Sequence, residues 1–367
     1  MKRHFKKIAY SVSGDGGGHV SRNQFIINHL SRSHQVDIYS FGNTLTVYQK
    51  LYETNPRITC QEIPGIVANF NNNSFSILDS VKANAKNLLS VPFIFRRMAR
   101  HICEQHYDLS ISDCEFYFSY AARLASKRCD LRCIHINHHP VFSASDLSFP
   151  SLPFGMRSIY RIMSKHYMPD ANEIWINSFY RPQTFYQKNM HYIGPVLRQT
   201  ILTTVPSDLG HVLVYLKHSI ADKLYPLLTT VSDSNFIVYA AEPEQYQQHS
   251  HIILKKNDPG SEFVADLASS SAVIGVAGID LPSEAIYLGK PVLGIAEHNQ
   301  FEQYINGHQL MLTGGGMWTT SRKLNAELIR QFLTDRDKLA QGMLDFRKER
   351  FTTGNTEVIK RLEAYIS

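Results

Sequence analysis

The chain has 367 residues, which exceeds the usual size of a single hydrophobic core and predicts two domains. Hydrophobic residues make up 43% of it and charged residues 19%, a balance that excludes a disordered chain. The formal net charge of +6 is too small to indicate a nucleic-acid partner, but it suits anionic small molecules or an acidic membrane surface.

Apolar segments of strand length alternate with helical patterns along the whole chain. In the first half we predict strands over 8–12, 35–41, 58–63, 109–112, 132–137 and 173–177, with a loop over 69–74. In the second half we predict strands over 212–216, 236–240, 251–254, 272–276 and 291–295, with helices over 264–269, 282–288 and 301–312. Strands separated by helices predict parallel sheets, so we expect an α/β fold of two doubly wound, Rossmann-like domains that face each other across a cleft.

A glycine-rich turn follows the first predicted strand. Gly16, Gly17 and Gly18 stand directly before His19, at the start of a helical pattern. Glycines let a ligand come close to the backbone, and a helix N-terminus presents unpaired N–H groups to an anion. The turn therefore predicts a ligand pocket with a histidine at its mouth, although an ordinary tight turn whose histidine only fills space fits the same residues.

A second strand, glycine turn and helix occurs after the strand at 272–276. Gly278 and Ile279 open that helix, and Glu284 falls in its first turn, where the helix dipole favours a carboxylate and a ribose diol can be bound. Polar residues, Gln300 and Gln303 among them, follow the next strand. This pattern predicts a second anion site with sugar hydroxyl groups nearby.

Four short motifs follow one another between residues 266 and 316. They are Ala277-Gly278, Ser283-Glu284, Leu288-Gly289-Lys290-Pro291 and Gln300-Phe301-Glu302-Gln303-Tyr304-Ile305-Asn306. In this order they resemble the nucleotide-sugar half of GT-B glycosyltransferases, above all the peptidoglycan N-acetylglucosaminyltransferase and related bacterial UDP-glycosyltransferase-like proteins. With the first glycine turn and Ile193-Gly194-Pro195, the resemblance extends over nearly the whole chain.

The resemblance implies a set of donor-binding residues. The donor diphosphate is expected at Gly278 and Ile279, the ribose at Glu284, the donor sugar at Gln300 and Gln303, and the nucleobase beside the loop of Phe263, before a helix. Many relatives have a glycine-rich phosphate loop where this chain has Lys217 and Ser219, so one of these two is expected to serve the diphosphate instead.

The resemblance also implies how the domains are divided. We expect an acceptor-side domain over 1–193, a nucleotide-sugar domain over 194–345 and a C-terminal helix within 346–367 that crosses back onto the first domain. Docking of that helix on its own domain fits its apolar positions equally well.

Catalysis by transfer requires a base for the acceptor hydroxyl, and a histidine suits that task near neutral pH. His19 is our candidate. In relatives an aspartate from a later strand end holds such a histidine, which implies Asp113, although a loop position or helix cap explains Asp113 as well. Because no Asp-x-Asp motif is placed to bring a divalent metal to the departing diphosphate, we expect metal-independent catalysis, no metal site and no cofactor beyond the nucleotide-sugar substrate.

A histidine cluster follows the strand at 132–137. We expect Asn137 and His138 to face the cleft and contact the acceptor, but packing at the strand end is the simpler alternative. Adjacent His138 and His139 lack the spacing of common metal sites.

Two segments, 91–100 and 149–161, mix apolar residues with arginines. Such segments can lie on an anionic bilayer, and a core helix with a basic edge explains them equally well. The five cysteines, without a Cys-x-x-Cys pair, indicate reduced thiols. No cleavage signal or membrane-length apolar window is present, so we expect a cytoplasmic protein, with peripheral attachment to the inner face of the membrane left open.

These observations favour an inverting glycosyltransferase that uses a nucleotide sugar, with uridine as the expected base, and an acceptor hydroxyl on a lipid, glycan or small molecule. A nucleotide-sugar hydrolase or 2-epimerase on the same fold is the first alternative, and a noncatalytic nucleotide-sugar-binding protein is the second. The donor sugar, the acceptor and the oligomeric state are not predicted by the sequence.

Overall fold

The computed structural model describes residues 5–14, 17–65, 70–71, 74–75, 77–152, 155–185, 187–257 and 260–366. The predicted cleft residue Gly16 lies outside these ranges. The strands are β1 (Lys7–Val12), β2 (Gln35–Ser40), β3 (Ile58–Glu62), β4 (Phe70–Asn71), β5 (Ser74–Phe75), β6 (Leu109–Asp113), β7 (Arg132–Asn137), β8 (Glu173–Ile176), β9 (Met190–Tyr192), β10 (Val212–Leu216), β11 (Phe236–Ala240), β12 (Ile252–Lys256), β13 (Ala272–Val276), β14 (Val292–Ala296) and β15 (Gly316–Thr320).

Helices connect most of these strands. They are α1 (Gly17–Leu30), α2 (Gly42–Leu51), α3 (Ile77–Glu104), α4 (Phe116–Ala125), α5 (Met156–His166), α6 (Gln199–Thr203), α7 (His218–Thr229), α8 (Ser261–Ser269), α9 (Asp280–Leu288), α10 (Phe301–Leu312), α11 (Ala326–Thr334), α12 (Arg336–Arg350) and α13 (Asn355–Ile366).

The described strands form two parallel sheets, which confirms the predicted α/β fold of two doubly wound units. The first sheet has the order β3-β2-β1-β6-β7-β8-β9 and the second has the order β12-β11-β10-β13-β14-β15. We name residues 7–192, which carry the first sheet, the front lobe, and residues 212–320, which carry the second, the rear lobe. The space between the carboxyl edges of the two sheets is the cleft.

The strand order of each sheet reverses next to its first strand. In the front lobe this point lies between β1 and β6, and in the rear lobe it lies between β10 and β13. Doubly wound sheets bind ligands at such points, beyond the carboxyl ends of the strands. Both glycine turns of the sequence, at 16–18 and at 278, follow strands at these points.

Three predictions about elements were wrong. The segment predicted as a loop over 69–74 contains β4 and β5, which pair as an antiparallel hairpin. The strand β15 was not predicted, because it follows a run of three glycines that is typical of a loop. Helix α8 begins at Ser261, so Phe263 lies inside its first turn instead of before it.

The helix α13 packs on the front lobe. Its buried residues Val358, Leu362 and Ile366 belong to the same apolar cluster as Ile8 and Tyr10 of β1. The C-terminal helix therefore completes the core of the front lobe, although the whole rear lobe separates it from that lobe in the sequence.

The chain segments that cross between the lobes are bound to each other. Gly194 has φ of 78°, and a Cβ there would overlap the carbonyl oxygen of Thr352, so the close approach requires glycine. The N–H of Gly354 donates to the Pro195 carbonyl at 2.7 Å, and the Asn355 side chain bonds both the N–H and the C=O of Leu197, at 3.0 and 2.8 Å.

Two of the five cysteines are joined by a disulfide. Cys103, near the end of α3, is bonded to Cys129, with the Cα atoms 5.9 Å apart, while Cys60, Cys114 and Cys133 are free. The expectation of reduced thiols is therefore wrong for this pair. Sequence spacing did not indicate it, because the two residues meet only when α3 packs on α4.

The two arginine-rich segments differ in their surroundings. In α3, Ile94, Met98 and Ala99 are buried while the arginines of the segment are exposed, which is a core helix with a basic edge. In α5, by contrast, Ile159 and Ile162 point outward and are 49% and 60% exposed. Among the helices that the structure describes, none has the length and apolar character needed to cross a bilayer.

Candidate active site

The histidine of the first glycine turn lies in the first turn of α1. Pairing of β1 with β6 places Val12 opposite Asp113, so the end of β6 lies beside the start of α1. The Nδ1 atom of His19 is 3.4 Å from Oδ2 of Asp113, and the His19 side chain is 19% exposed while Asp113 is fully buried. The structure thus brings the predicted base and its predicted partner together at the cleft.

Arg22, one helical turn after His19, holds the Asp113 carboxylate in a two-pronged ion pair. Its Nε donates to Oδ2 at 2.8 Å and its Nη2 to Oδ1 at 2.6 Å. Although burial opposes ionisation of Asp113, the charge of Arg22, helped by His19, outweighs it and holds the pKa of this carboxyl far below its usual range. Asp113 is therefore a fixed anion at all ordinary pH values.

Two further side chains support this carboxylate. The Asn23 side-chain amide donates both to Oδ2 of Asp113 and, at 2.7 Å, to the carbonyl oxygen of His19. The hydroxyl of Tyr10, on β1, donates to Oδ1 of Asn23 at 2.5 Å. Because Asn23 and Tyr10 are both completely buried, the network is rigidly held by the core of the front lobe.

The N-termini of α1 and α9 face each other across the cleft. A Cβ on Gly18 would overlap the carboxylate of Asp280, the first residue of α9, so only a glycine allows this approach. Nη1 of Arg22 lies 3.3 Å from both carboxylate oxygens of Asp280. This ion pair links the front lobe to the rear lobe beside His19.

The second predicted anion site lies at the start of α9. Ile279 is the residue that precedes the helix, and a Cβ built on Gly278 would have no described atom within 4 Å. The turn therefore borders open space, while Ser283 and Glu284 of the same helix are buried. The N–H of Gly278 already donates to the Val276 carbonyl at 2.7 Å, so the N–H groups that a phosphate can approach here are those of Ile279 and the first turn of α9.

Glu284 is buried and paired with a residue that the sequence did not indicate. Arg198, on the connection between the lobes, donates to its two oxygens through Nε at 2.6 Å and Nη2 at 2.9 Å. Burial raises the pKa of Glu284, and Arg198 opposes that effect. The guanidinium of Arg198 also lies 5.6 Å from the ring of Phe263.

Phe263 differs from its predicted setting. Its ring is 4% exposed and packs edge-on against Tyr239, with the ring centroids 5.0 Å apart. Since Arg198 lies over the ring, a nucleobase would meet the guanidinium rather than Phe263. The reason is that α8 starts early and turns this side chain into the core.

A cavity of about 350 Å³ opens next to Arg198, between the lobes. The front lobe contributes side chains of α1 and α2, and the other wall includes Arg198, Gln199 and Gly260.

Two of the predicted phosphate and sugar residues of the rear lobe, Lys217 and Gln303, are bonded to Glu297. Lys217 Nζ lies 2.8 Å from Oε2 of Glu297, and Nε2 of Gln303 donates to the same oxygen at 2.5 Å. Ser219 Oγ, in the first turn of α7, is a buried hydroxyl with no hydrogen-bond partner within the described part of the chain. Gln300 directly precedes α10 and is partly exposed.

His138 reaches across the cleft. Its Nε2 lies 2.6 Å from Oε1 of Glu302 in α10, and Nε2 of His139 lies 3.4 Å from Oε2. Burial lowers the pKa of His138 even though Glu302 opposes the shift, and the neighbouring histidines outweigh burial to hold the pKa of Glu302 well below its usual value. At neutral pH this is a neutral imidazole that donates to a carboxylate.

Asn137 does not face the cleft as expected. Its side-chain oxygen accepts from the N–H of His139 at 2.7 Å, and its amide lies 3.3 Å from the sulfur of Met168, inside the front lobe. The residue shapes the turn after β7, because its side chain replaces a backbone partner there.

Two described clusters bring three potential metal ligands within 4.8 Å of one another, namely His19, Asp113 and Cys114, and His138, His139 and Glu302. In the first, the guanidinium of Arg22 already neutralises the carboxylate. In the second, the Nδ1 atoms of both histidines are buried without a partner among the described residues, whereas metal-bound histidines normally donate from the other ring nitrogen. Neither donor set fits a resident metal well.

The functional residues that sequence reasoning missed are Arg22, Asp280 and Arg198. Arg22 is spaced three residues from His19, which places both on one face of a helix. That spacing was a usable signal. The partners of these residues lie in distant segments, so the ion pairs themselves were not visible.

The sequence model described as "Glycosyl transferase family 1" matches residues 6–336. No curated protein sequence matches the chain significantly.

Solved structures share the fold over the full chain. The glycotransferase of kitacinnamycin superimposes with a TM-score of 0.69 at 14% identity, covering 99% of this chain and 100% of that one. The structure of LpCGTa in complex with UDP superimposes with a TM-score of 0.67 at 15% identity, covering 99% of both chains. MurG of Acinetobacter baumannii gives 0.60 at 11% identity, covering 98% of this chain and 99% of that one. The protein is therefore a GT-B-fold glycosyltransferase that belongs to glycosyl transferase family 1.

Proposed function

We propose that the protein is an inverting, metal-independent glycosyltransferase that moves a sugar from a UDP-sugar to a hydroxyl group of a lipid, glycan or small-molecule acceptor. The observation that carries this proposal is the meeting of the α1 and α9 N-termini in the cleft, with His19 beside them. Helix N-termini bind anions and a histidine accepts protons near neutral pH, so one space holds both a diphosphate and a base.

The donor lies along the rear lobe. Its diphosphate rests against Gly278, which leaves open space, and on the N–H groups of Ile279 and the first turn of α9, with Lys217 and the Ser219 hydroxyl, which has no partner among the described residues, at the neighbouring helix start. Glu284 accepts hydrogen bonds from the ribose while Arg198 holds its charge. Uridine is supported by the UDP in the complex with LpCGTa, which shares the fold.

The reaction is a direct displacement at C1 of the donor sugar. The acceptor hydroxyl gives its proton to Nε2 of His19, its oxygen forms the new bond to C1, and the bond from C1 to the phosphate oxygen breaks. The electron pair leaves with the nucleoside diphosphate, whose charge is met by backbone N–H groups and Lys217. Attack from the side opposite the leaving group inverts the configuration, and no divalent cation is required.

The acceptor is presented at a membrane surface. In α5, Ile159, Ile162 and Met163 are 49%, 60% and 58% exposed, and the last two follow Ile159 by three and four residues, which places them on its face of the helix. Exposed Arg157 and Lys165 flank them. We name these five residues the α5 face. Exposed apolar residues flanked by cations favour binding to an anionic bilayer. On the other side of α5, Tyr160 packs towards Phe301 at the cleft.

Isothermal titration calorimetry with UDP tests the donor site, and mass spectrometry of a cell extract incubated with purified protein and a panel of nucleotide sugars tests transfer. We expect UDP to bind and an extract component to gain the mass of one sugar. Failure of UDP and other nucleoside diphosphates to bind would contradict the donor site. Sugar release or donor epimerisation without an acceptor would instead indicate a hydrolase or 2-epimerase.

A further inference from the structure

Arg22 contacts three groups that belong to different parts of the active site. It binds both oxygens of Asp113, Nη1 lies 3.3 Å from Asp280 of the rear lobe, and Nη2 lies 2.6 Å from Nδ1 of His19. The side chain is 3% exposed, so these contacts are shielded from water. No other described residue touches both His19 and the rear lobe's α9 in this way.

The contact with Nδ1 determines where His19 carries its proton. A guanidinium has only donors, so Nδ1 must be the acceptor, and the neutral imidazole then carries its hydrogen on Nε2. A ring in that form has no lone pair on Nε2 with which to take a proton from an acceptor hydroxyl.

In this arrangement Asp113 does not stabilise the opposite tautomer of His19, in which the hydrogen is on Nδ1. Its oxygens are engaged by Arg22 and Asn23, and the 3.4 Å between Oδ2 and Nδ1 of His19 exceeds the usual N–H···O distance. The other groups that face His19 are Asp280 of α9, Cys114 after β6, whose thiol pKa is raised by burial, and Tyr48 of α2, whose hydroxyl lies 3.5 Å from the His19 carbonyl oxygen. Among the described residues, Arg22 makes the shorter contact with Nδ1 of His19, at 2.6 Å against 3.4 Å for Asp113.

We propose that Arg22 is a positioning residue that sets the tautomer of His19. In the nucleotide-free enzyme it keeps the hydrogen on Nε2. When a donor diphosphate draws the guanidinium to the start of α9, the hydrogen can move to Nδ1, which faces Asp113. The direction of this movement is indicated by Asp280, the first residue of α9, because its carboxylate already attracts Nη1 of Arg22. The second half of this proposal rests on the proposed function, whereas the first half does not.

The change needs no large motion. A diphosphate at α9 adds negative charge on the side of Nη1 of Arg22. Once Nη2 turns away from Nδ1 of His19, an N–H at Nδ1 can donate a hydrogen bond to Asp113. The ligand shifts a pre-existing equilibrium by its preference for one position of Arg22. Proton acceptance by His19 would then depend on a bound donor.

Nitrogen NMR of the full chain labelled with ¹⁵N-histidine tests this proposal at pH 8.5, where histidine rings are neutral and each ring nitrogen reports whether it carries hydrogen. The signals of His19 among the 17 histidines are identified by their loss in His19→Gln. We expect the Nε2–H form without nucleotide. An Nδ1–H form in the nucleotide-free wild type overturns the proposal.

Two variants extend the test. Arg22→Met removes the donor while keeping an apolar side chain of similar length, and Arg22→Lys keeps a charged group that has only donors. Arg22→Met is expected to move the His19 hydrogen to Nδ1, whereas Arg22→Lys and the control Arg32→Gln, at an exposed arginine just after α1, keep the Nε2–H form. A hydrogen that stays on Nε2 in Arg22→Met overturns the proposal, and the nucleotide-free wild-type spectrum still decides it if Arg22→Met fails to fold.

Added UDP separates the two halves. We expect UDP to shift wild-type His19 towards Nδ1–H. If calorimetry detects UDP binding and the ring does not change, release of Arg22 by the donor is wrong. If UDP does not bind, the proposed donor site fails, while the nucleotide-free spectra still decide the role of Arg22.

Discussion

Nε2 of His138 lies 2.6 Å from Oε1 of Glu302, so a histidine at the end of β7 in the front lobe is bonded to a carboxylate in the first turn of α10 in the rear lobe. Together with the ion pair between Arg22 and Asp280, this contact fixes the distance between the carboxyl edges of the two sheets. The width of the cleft is thus set by charged groups at its floor.

The pair makes stability depend on pH in a defined direction. Because burial lowers the pKa of His138, the folded protein protonates this imidazole less readily than the unfolded chain does. The contribution of His138 to the free energy of unfolding is therefore complete above pH about 6.5 and is lost as the pH falls through the lowered pKa. Glu302, whose pKa is also lowered, contributes above pH about 4.5 and loses its effect only in stronger acid.

We therefore expect His138→Gln to lose about 2 °C less in Tm than the wild type between pH 7.5 and 5.5. Differential scanning calorimetry measures this difference. His166→Gln, at an exposed position, controls for the loss of one histidine. Equal losses in all three proteins would show that His138 does not titrate in this window.

His19→Ala is expected to lower turnover about a hundredfold or more, because it removes the general base. Donor binding should survive, since the diphosphate contacts lie in the rear lobe. Steady-state kinetics and calorimetry with UDP measure the two effects. His29→Ala, on the last turn of the same helix, should retain activity, and equal activities of both variants would remove His19 from the mechanism.

Glu284→Gln is expected to weaken UDP binding about tenfold or more, because hydrogen bonds to a charged group contribute about 1.5–3 kcal/mol. Calorimetry with UDP measures the loss. The control is Glu327→Gln, at an exposed glutamate in the first turn of α11. Glu284 itself lies in the second turn of α9 and not in the first turn as predicted, because α9 begins at Asp280. Undiminished affinity in Glu284→Gln would contradict a ribose contact.

Replacing Ile159 and Ile162 of the α5 face by serine is expected to weaken binding to vesicles of phosphatidylglycerol and phosphatidylcholine at least about tenfold, because each buried apolar side chain contributes about 1.5–3 kcal/mol. Cosedimentation measures binding. Serine at Val205 and Leu209, which are 84% and 76% exposed on the connection between the lobes, is the control pair. If both double variants bind like the wild type, the α5 face does not contact lipid.

A thiol assay on protein denatured without reductant is expected to detect three cysteines, Cys60, Cys114 and Cys133. Addition of a reductant should raise the count to five. Five thiols before reduction would mean that Cys103 and Cys129 are unpaired in the purified protein.

Much of the fold was predictable because parallel sheets have a strong local signal. Buried strands such as β1 and β13 are continuous apolar runs, and glycines mark the turns after them. The approach of His19 to Asp113 was implied by the resemblance to GT-B glycosyltransferases, and the structure explains it, because β1 and β6 are neighbouring parallel strands that end at the same edge.

The rest of the site depended on contacts that no local pattern records. Arg22 and Asp280 are 258 positions apart, and Arg198 and Glu284 are 86 apart. The first pair forms because the lobes face each other, and the second because the connection between the lobes lies against α9. Asn137 shows the opposite error, because a polar residue at a strand end suggested a ligand contact while its side chain serves the adjacent turn.

The packing of α13 on α1 has a consequence for biosynthesis. The ribosome makes α1 before every strand of the rear lobe and α13 after all of them, so the apolar cluster of the front lobe lacks Val358 and Leu362 until the rear lobe has been translated. During that interval the exposed surface is a natural target for chaperones, and a stop codon before residue 355 would leave it uncovered permanently.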